Sequence, residues 1–387
     1  MTLIKTLIAA NKSERDTFHI PRSVQQSIPI RRIYSDGIWQ VGRKHSRTWR
    51  FIDVNYAAAS EDERRSIFLT YCSVLNSLPT DAAAKITIIN RRLDPIGFKR
   101  NILMQDQGDG LDKYRREANV ILCRRAEESN NLVQEKYVTL SIAQRPIEES
   151  RTYFRRADAN LSKGFGRLDS RAYALSNHDR LRILHDFFRP GEEAFFTFDK
   201  TACIRRGMDF RDLICPDGMA FKAGYFEMGD KVGRVLFLKD YASYIKDEMI
   251  AALSDFPRSL MLSIDILPIP TDEAVRDVQN QILSIETDIT RWQQRQNDKN
   301  NFTASVPYEL EQLRSETKEF LSDLTERDQR MVFAVVTLVH IADDLKQLDA
   351  DTEALMSISR EHLCQFSTLR YQQEDGLNTV LPYGLRR

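Results

Sequence analysis

His178 and His185 stand seven residues apart on a helix-like segment, and each is followed by an aspartate, Asp179 and Asp186. Two imidazoles at that spacing share a helix face and could begin a metal site. No third His or Cys joins them at a clear spacing, so surface or capping roles compete with the metal reading. His340 lies in an apolar strand-like run, where simple packing is the expected role. The five cysteines, Cys72, Cys123, Cys203, Cys215 and Cys364, form no CxxC pair and fit no zinc template. Scattered thiols of this kind suit a reducing compartment. No Ser-His-Asp or Cys-His set can be singled out, because such sets are defined by proximity in space.

Phosphate and calcium chemistry fare no better. The run KGFGRLD contains Gly164 and Gly166 but has no third glycine, no Lys-Thr after it and no strand before it. A phosphate cradle needs backbone amides from such a loop at a helix start, so no P-loop is expected. Gly164 reads instead as the C-terminal cap of the preceding helix. DQGDGLDKYRRE places Asp106 and Glu117 at the ends of a twelve-residue window, as in a calcium loop. Gly108 and Gly110 occupy positions that need oxygen ligands, so entry to a helix is the better reading. The expected catalytic, cofactor-binding and metal-ligating residues are therefore none.

The formal net charge is +0, so any contact with an anionic partner must come from a local patch. One exists: Arg22, Arg31, Arg32, Arg43, Lys44, Arg47 and Arg50 face only Asp36 as an acid, with Tyr34, Trp39 and Trp49 interleaved. Such a segment could touch lipid headgroups or a nucleic-acid backbone, or be a solvated hairpin face. At the N-terminus, Leu3, Ile4, Leu7 and Ile8 could line a short helix that rests on a membrane, or belong to a frayed tail. Lys5 interrupts that stretch, so it is not a convincing signal peptide. The apolar runs elsewhere are of strand length, as in Met331 to Ile341, too short for a membrane span.

The elements that would position these residues alternate. Strands are expected over 37–41 and 49–56, a helix capped by Ser60, and strands over 85–91 and 136–143. Helices are expected over 112–131, 147–163 and 179–188. The second half repeats the order: a hairpin around Gly229, Asp230 and Lys231, a helix over 241–253, and strands over 260–267, 331–340 and 364–371. Similar order suggests a structural duplication, although α+β chains alternate in this way generally. The expected fold is α+β: two similar α/β subdomains, 31–200 and 201–387, with mixed, mostly antiparallel sheets after a tail over 1–30.

Between two strands of the second half lies a regular insertion over 272–329. Val275, Val278, Ile282, Ile285, Ile289 and Trp292 are spaced 3, 4, 3, 4, 3, an a/d seam. Leu310, Leu313, Thr317, Phe320 and Leu324 form a second seam after a polar break. The pair reads as an antiparallel helical hairpin. It either packs on itself and the sheet or projects as an arm that docks a partner.

Several runs resemble the conjugation and type IV secretion ATPases of the TraE/TrbE/CagE type. They are DFRDLICPDGMAFKAGYFEMGDKVGRVLFLKDYASYIKDEM, MLSIDILPIPTDEAVRDVQNQ, WQQRQNDKNNF, LTERDQRMVFAVVTLVHIADD and LCQFSTLRYQQEDGLNTVLPYG. The first half, including PRSVQQSIPIRRIYSDGIWQVG, is also similar. The resemblance implies the amino-terminal region of that family, which leads into a RecA-like motor. The family's nucleotide-binding residues have no matching positions here, so ATP and magnesium would belong to the motor, absent from these residues. It further implies a docking and assembly module at the cytoplasmic face of the membrane. Its partners would be inner-membrane channel subunits and sister ATPase subunits, with nucleic-acid binding through 20–50 as the alternative.

Overall fold

A computed structural model describes residues 23–385 except 55, 57, 58, 93–101, 129–131, 243, 244, 246, 300–304 and 328. Leu3, Ile4, Leu7, Ile8 and Arg22 lie outside the described residues, as does the centre of the polar break near 300.

In the first half, β1 (Ile30–Ile33), β2 (Trp39–Val41) and β3 (Lys44–Phe51) form an antiparallel meander. Helix α1 (Glu61–Asn76) opens on a capping box: Ser60 N donates to Glu63 Oε2 at 2.8 Å and Glu63 N donates to Ser60 Oγ at 3.4 Å. There follow β4 (Ala82–Arg92), α2 (Asp112–Glu128), β5 (Leu132–Ala143), α3 (Ile147–Arg167), β6 (Ala172–Ala174) and α4 (Asn177–Phe188). Gly164 does not cap α3; it lies buried inside the helix, which runs on to Arg167 because Leu161 and Phe165 continue its apolar face. A short helix α5 (Lys200–Arg206) leads to the second half.

The second half contains β7 (Met219–Phe221), β8 (Phe226–Met228), β9 (Lys231–Asp240), α6 (Asp247–Ser254) and β10 (Leu260–Pro268). It continues with α7 (Thr271–Asp298), α8 (Tyr308–Glu326), β11 (Val332–Ala342), α9 (Leu345–Glu361), β12 (Gln365–Thr368) and α10 (Gln373–Val380).

The twelve strands of the described residues join one sheet, of order β1-β2-β3-β5-β4-β10-β11-β9-β8-β7, with β6 on β3 and β12 on β9. One sheet thus stands where two were expected. The cause is the antiparallel pairing of β4 with β10, from Ala84 opposite Ile266 to Asn90 opposite Leu260. Read outward from that junction, the first half runs β4-β5-β3-β2-β1 and the second β10-β11-β9-β8-β7. Each strand of one series has its counterpart six numbers away in the other, and β6 on β3 matches β12 on β9.

Alternation along the strands sends neighbouring residues to opposite faces. On one face Ile89, Met261 and Val339 pack with Leu181, Leu184 and Phe188 of α4 and Leu377 and Val380 of α10. On the other, Ile88, Leu262 and Leu338 pack with Met249 and Leu253 of α6 and Leu355 of α9. Each such side chain contributes about 1.5–3 kcal/mol by leaving water.

The chain divides into two compact units. The larger holds the sheet, including Ala83–Ile266 and Ala334–Arg387, so the expected boundary near residue 200 falls within it. The smaller combines Cys72–Ala82 with Leu267–Phe333. Its core is Ile269, Ala274, Val278 and Leu324, with Val275, Ile282, Leu321, Met331 and Phe333 packed around them. Among the described residues no helix is long and apolar enough to cross a membrane.

Candidate functional site

The helical insertion shows its sequence seam only in part. On α7, Val278, Ile285 and Ile289 are buried, while Val275, Ile282 and Trp292 are half-buried. On α8, Leu324 is buried and Leu310 half-buried, but Leu313 and Phe320 are 41% and 39% exposed. The inward line of α8 instead passes through Thr317 and Leu321. Leu310, Thr317 and Leu324 keep the seven-residue spacing, and Leu321 lies on the other side of that line, so the inward face is centred away from Leu313 and Phe320 and leaves them exposed. Glu286 of α7 meets Arg314 Nε at 2.8 Å and Lys318 Nζ at 3.4 Å on α8. The Arg314 hydrogen bond holds the Glu286 carboxyl below its ordinary range.

The basic segment is dispersed by the fold. Arg31, Arg32, Arg43 and Arg50 are exposed, while Lys44 and Arg47 are half-buried. Arg32 lies over the Tyr34 ring at 5.9 Å and Arg47 over the Trp49 ring at 5.7 Å. Arg50 reaches Glu135 at 3.4 Å. Trp39 and Trp49 are core residues, 1% and 0% exposed. Their indole N–H groups donate to Asn177 Oδ1 at 2.8 Å and Asp158 Oδ1 at 2.6 Å. Neither ring is free to stack on a base.

His178 and His185 both flank the aromatic ring of Phe196. Their rings lie 5.2 and 5.0 Å from the ring of Phe196. Among the described residues no group of three His, Cys, Asp or Glu side chains is placed to hold a metal. His340 is fully buried, with Nε2 3.1 Å from Thr352 Oγ1. Burial, reinforced by Arg234, drives its pKa down to about 3. The window from Asp106 to Glu117 is a helix entry: the Asp112 carboxylate accepts from Gln107 N and Gly108 N, both at 2.9 Å. Arg115 Nη1 pairs with both Asp109 and Asp112.

Two polar assemblies escaped sequence reasoning. In the first, Glu135 accepts from Arg91 Nε at 3.0 Å and from the Tyr137 hydroxyl at 2.6 Å. Burial pushes Glu135 up, but these bonds to Arg91 and Tyr137 hold its carboxyl below the ordinary range. Arg91 also reaches Asp186 of α4 at 3.6 Å, so the network ties β4 and β5 to that helix.

The second lies at the junction of the halves. Lys85 of β4 is 1% exposed and pairs with Asp265 of β10 at 2.7 Å. Its ammonium also donates to the Thr379 carbonyl in α10. Beyond α10, Leu381 to Leu385 form a buried strap. Arg180 of α4, itself 2% exposed, donates to Gly37 O at 3.0 Å, Ser46 O at 3.1 Å and Pro382 O at 3.4 Å. Its guanidinium stacks 3.9 Å from the centre of the Trp39 ring. Single charges inside apolar strand runs were the available signal for Lys85 and Asp265. Nothing local marks Arg180 as buried.

The chemistry of these groups is structural: paired charges and satisfied donors that fix strands and strap. No family model matches the chain, and no curated protein matches it at a significant level.

Proposed function

We propose that the chain is a non-catalytic docking and assembly module of a conjugation-type secretion ATPase of the TraE/TrbE/CagE type, peripheral at the cytoplasmic face of the membrane. It would link the motor to inner-membrane channel subunits and to sister ATPase subunits. Its two halves are read as a structural duplication, with α7 and α8 as an antiparallel helical hairpin inserted into the second. Equal strand order on the two sides of the β4–β10 junction supports that reading.

The observation that carries the functional reading is the placement of the helical insertion. The path from β10 to β11 contains the long pair α7 and α8. Both helices belong to the smaller compact unit and not to the one that holds the sheet, which supports reading them as available for a partner. In this reading ATP and magnesium are handled by the motor and not by residues of this chain.

The test is a pull-down of purified channel subunits by the chain and by a variant whose residues 272–329 are replaced by a short Gly-Ser linker. Capture by the first and not by the folded second supports the proposal. Equal capture by both removes the arm from it, and ATP turnover that tracks with the pure chain overturns the non-catalytic part. Binding of nucleic acid through 20–50 is the weaker alternative, because Trp39 and Trp49 are packed in the core.

A further inference from the structure

Helix α3 turns a row of unneutralised bases to solvent. At 3.6 residues per turn, Arg156, Lys163 and Arg167 fall within about 20° of one line along the helix. That line lies opposite the buried side, which carries Phe154, Leu161 and Phe165. All three bases are exposed, and among the described residues none meets a carboxylate. Along the axis they stand about 10 Å and then about 6 Å apart. Asn160 is exposed between the first two, and among the described residues no hydrogen bond engages its amide.

Acids bound the row and do not interrupt it. Glu149 lies seven residues before Arg156 on the same line, and Asp169 follows the helix. The one carboxylate between them, Asp158, is on the inner side and accepts from the Trp49 indole. Arg151 does not belong to the row, because Asp36 and Glu148 hold it.

The second half treats the equivalent helix differently. By strand order α3, between β5 and β6, corresponds to α9, between β11 and β12. On α9, Asp349 pairs with Arg234 at 2.7 Å and Glu353 with Arg360 at 3.3 Å. On α3, Lys163 and Arg167 are four residues apart and repel each other, at a cost to the helix that no described carboxylate relieves.

We infer that this row holds the phosphodiester backbone of a nucleic-acid strand. A linear polyanion matches a linear row of charges, and the Asn160 amide supplies a hydrogen-bond donor for a phosphate oxygen between them. A bilayer fits less well: a helix that lies on a membrane needs an apolar flank, and the exposed neighbours of the row are Ala159, Ser162 and Gly166. The contact goes beyond the assembly reading, does not depend on it, and uses none of the residues over 20–50.

Fluorescence anisotropy with a labelled thymidine oligomer of about 20 nucleotides, between about 50 and 200 mM salt, tests it on the whole chain. The variant Arg156→Ala with Lys163→Ala and Arg167→Ala removes the row. The control Lys200→Ala with Arg205→Ala and Arg206→Ala removes the same charge from exposed positions of α5. Circular dichroism checks that both fold. The row variant should bind at least about tenfold more weakly and lose about 2 from the slope of log affinity against log salt, while the control stays within about twofold of wild type. A wild-type chain that leaves the oligomer unbound at about 100 μM, or a control that loses as much as the row variant, overturns the inference. So does a wild-type chain that binds vesicles of phosphatidylserine and phosphatidylcholine but not the oligomer.

Discussion

The Lys85 ammonium lies 2.7 Å from the Asp265 carboxylate, across the pair of strands that joins the two halves, and both side chains are almost fully buried. Neither charge is easily removed alone. Asp265→Ala leaves a buried ammonium without its counter-charge and should cost about 3–5 kcal/mol in urea denaturation. Replacing both partners, Lys85→Met with Asp265→Leu, should cost much less than the sum of the single changes, since apolar pairs of similar volume substitute well for buried ion pairs. Additive losses in the double-mutant cycle would show that the two residues act independently.

The strap crosses the sheet with no room to spare. Gly384 has φ of +80°, and a methyl group there would lie 2.8 Å from Ser141 Cβ and 3.1 Å from Ser46 Cβ. Gly384→Ala should therefore destabilise by about 1–3 kcal/mol, from backbone strain and overpacking together. Thermal unfolding of the variant gives the measure, and an unchanged midpoint would mean that the strap lifts freely.

His340 makes stability depend on pH. Its folded pKa of about 3 lies below the ordinary value of 6.5, so the unfolded chain binds the extra proton first. This contribution is therefore complete above pH 6.5 and is lost progressively as pH falls toward 3. The loss should reach a few kcal/mol across that window. Denaturation at a series of pH values should show a steeper acid loss in wild type than in His340→Gln, and parallel curves would contradict the assignment.

The three tryptophans divide by environment, with Trp39 and Trp49 in the core and Trp292 half-buried on α7. Acrylamide should quench mainly Trp292, and Trp292→Phe should leave emission that is almost insensitive to quencher. Single-stranded DNA should not quench Trp39 or Trp49 by stacking. Strong DNA quenching in Trp292→Phe would revive the nucleic-acid reading.

Local pattern makes most elements legible in the sequence. The Ser60 cap, the β-branched runs of β4, β10 and β11, and the glycine turn between β8 and β9 all announce themselves within a few residues. Long-range partnership is not legible. Nothing near Ile86 or Ile264 says that they face each other, and only that register unites the halves in one sheet. Trp39 and Trp49 read as surface aromatics among arginines because burial is decided by α3 and α4, far along the chain. Leu313 and Phe320 fit an ideal heptad, whereas the helix buries Thr317 and turns Leu321 inward in their stead. The strap is invisible for a related reason: LPYG reads as a loop until the small side chains of Ser46, Thr139 and Ser141 are placed beneath it.

The strands that meet at the junction come from distant parts of the chain; Lys85 and Asp265 are 180 residues apart. Every other strand pairing with a defined register stays within its own half. Each half can therefore form before it meets the other, closing separations of up to about 130 residues (Thr368 opposite Leu236), while joining the halves closes the longest loop, about 180, and bears the greatest entropic cost. During synthesis the free margin of β4 must wait, unpaired and apolar, until β10 has emerged from the ribosome. That interval is when the chain is most exposed to pairing with the wrong molecule.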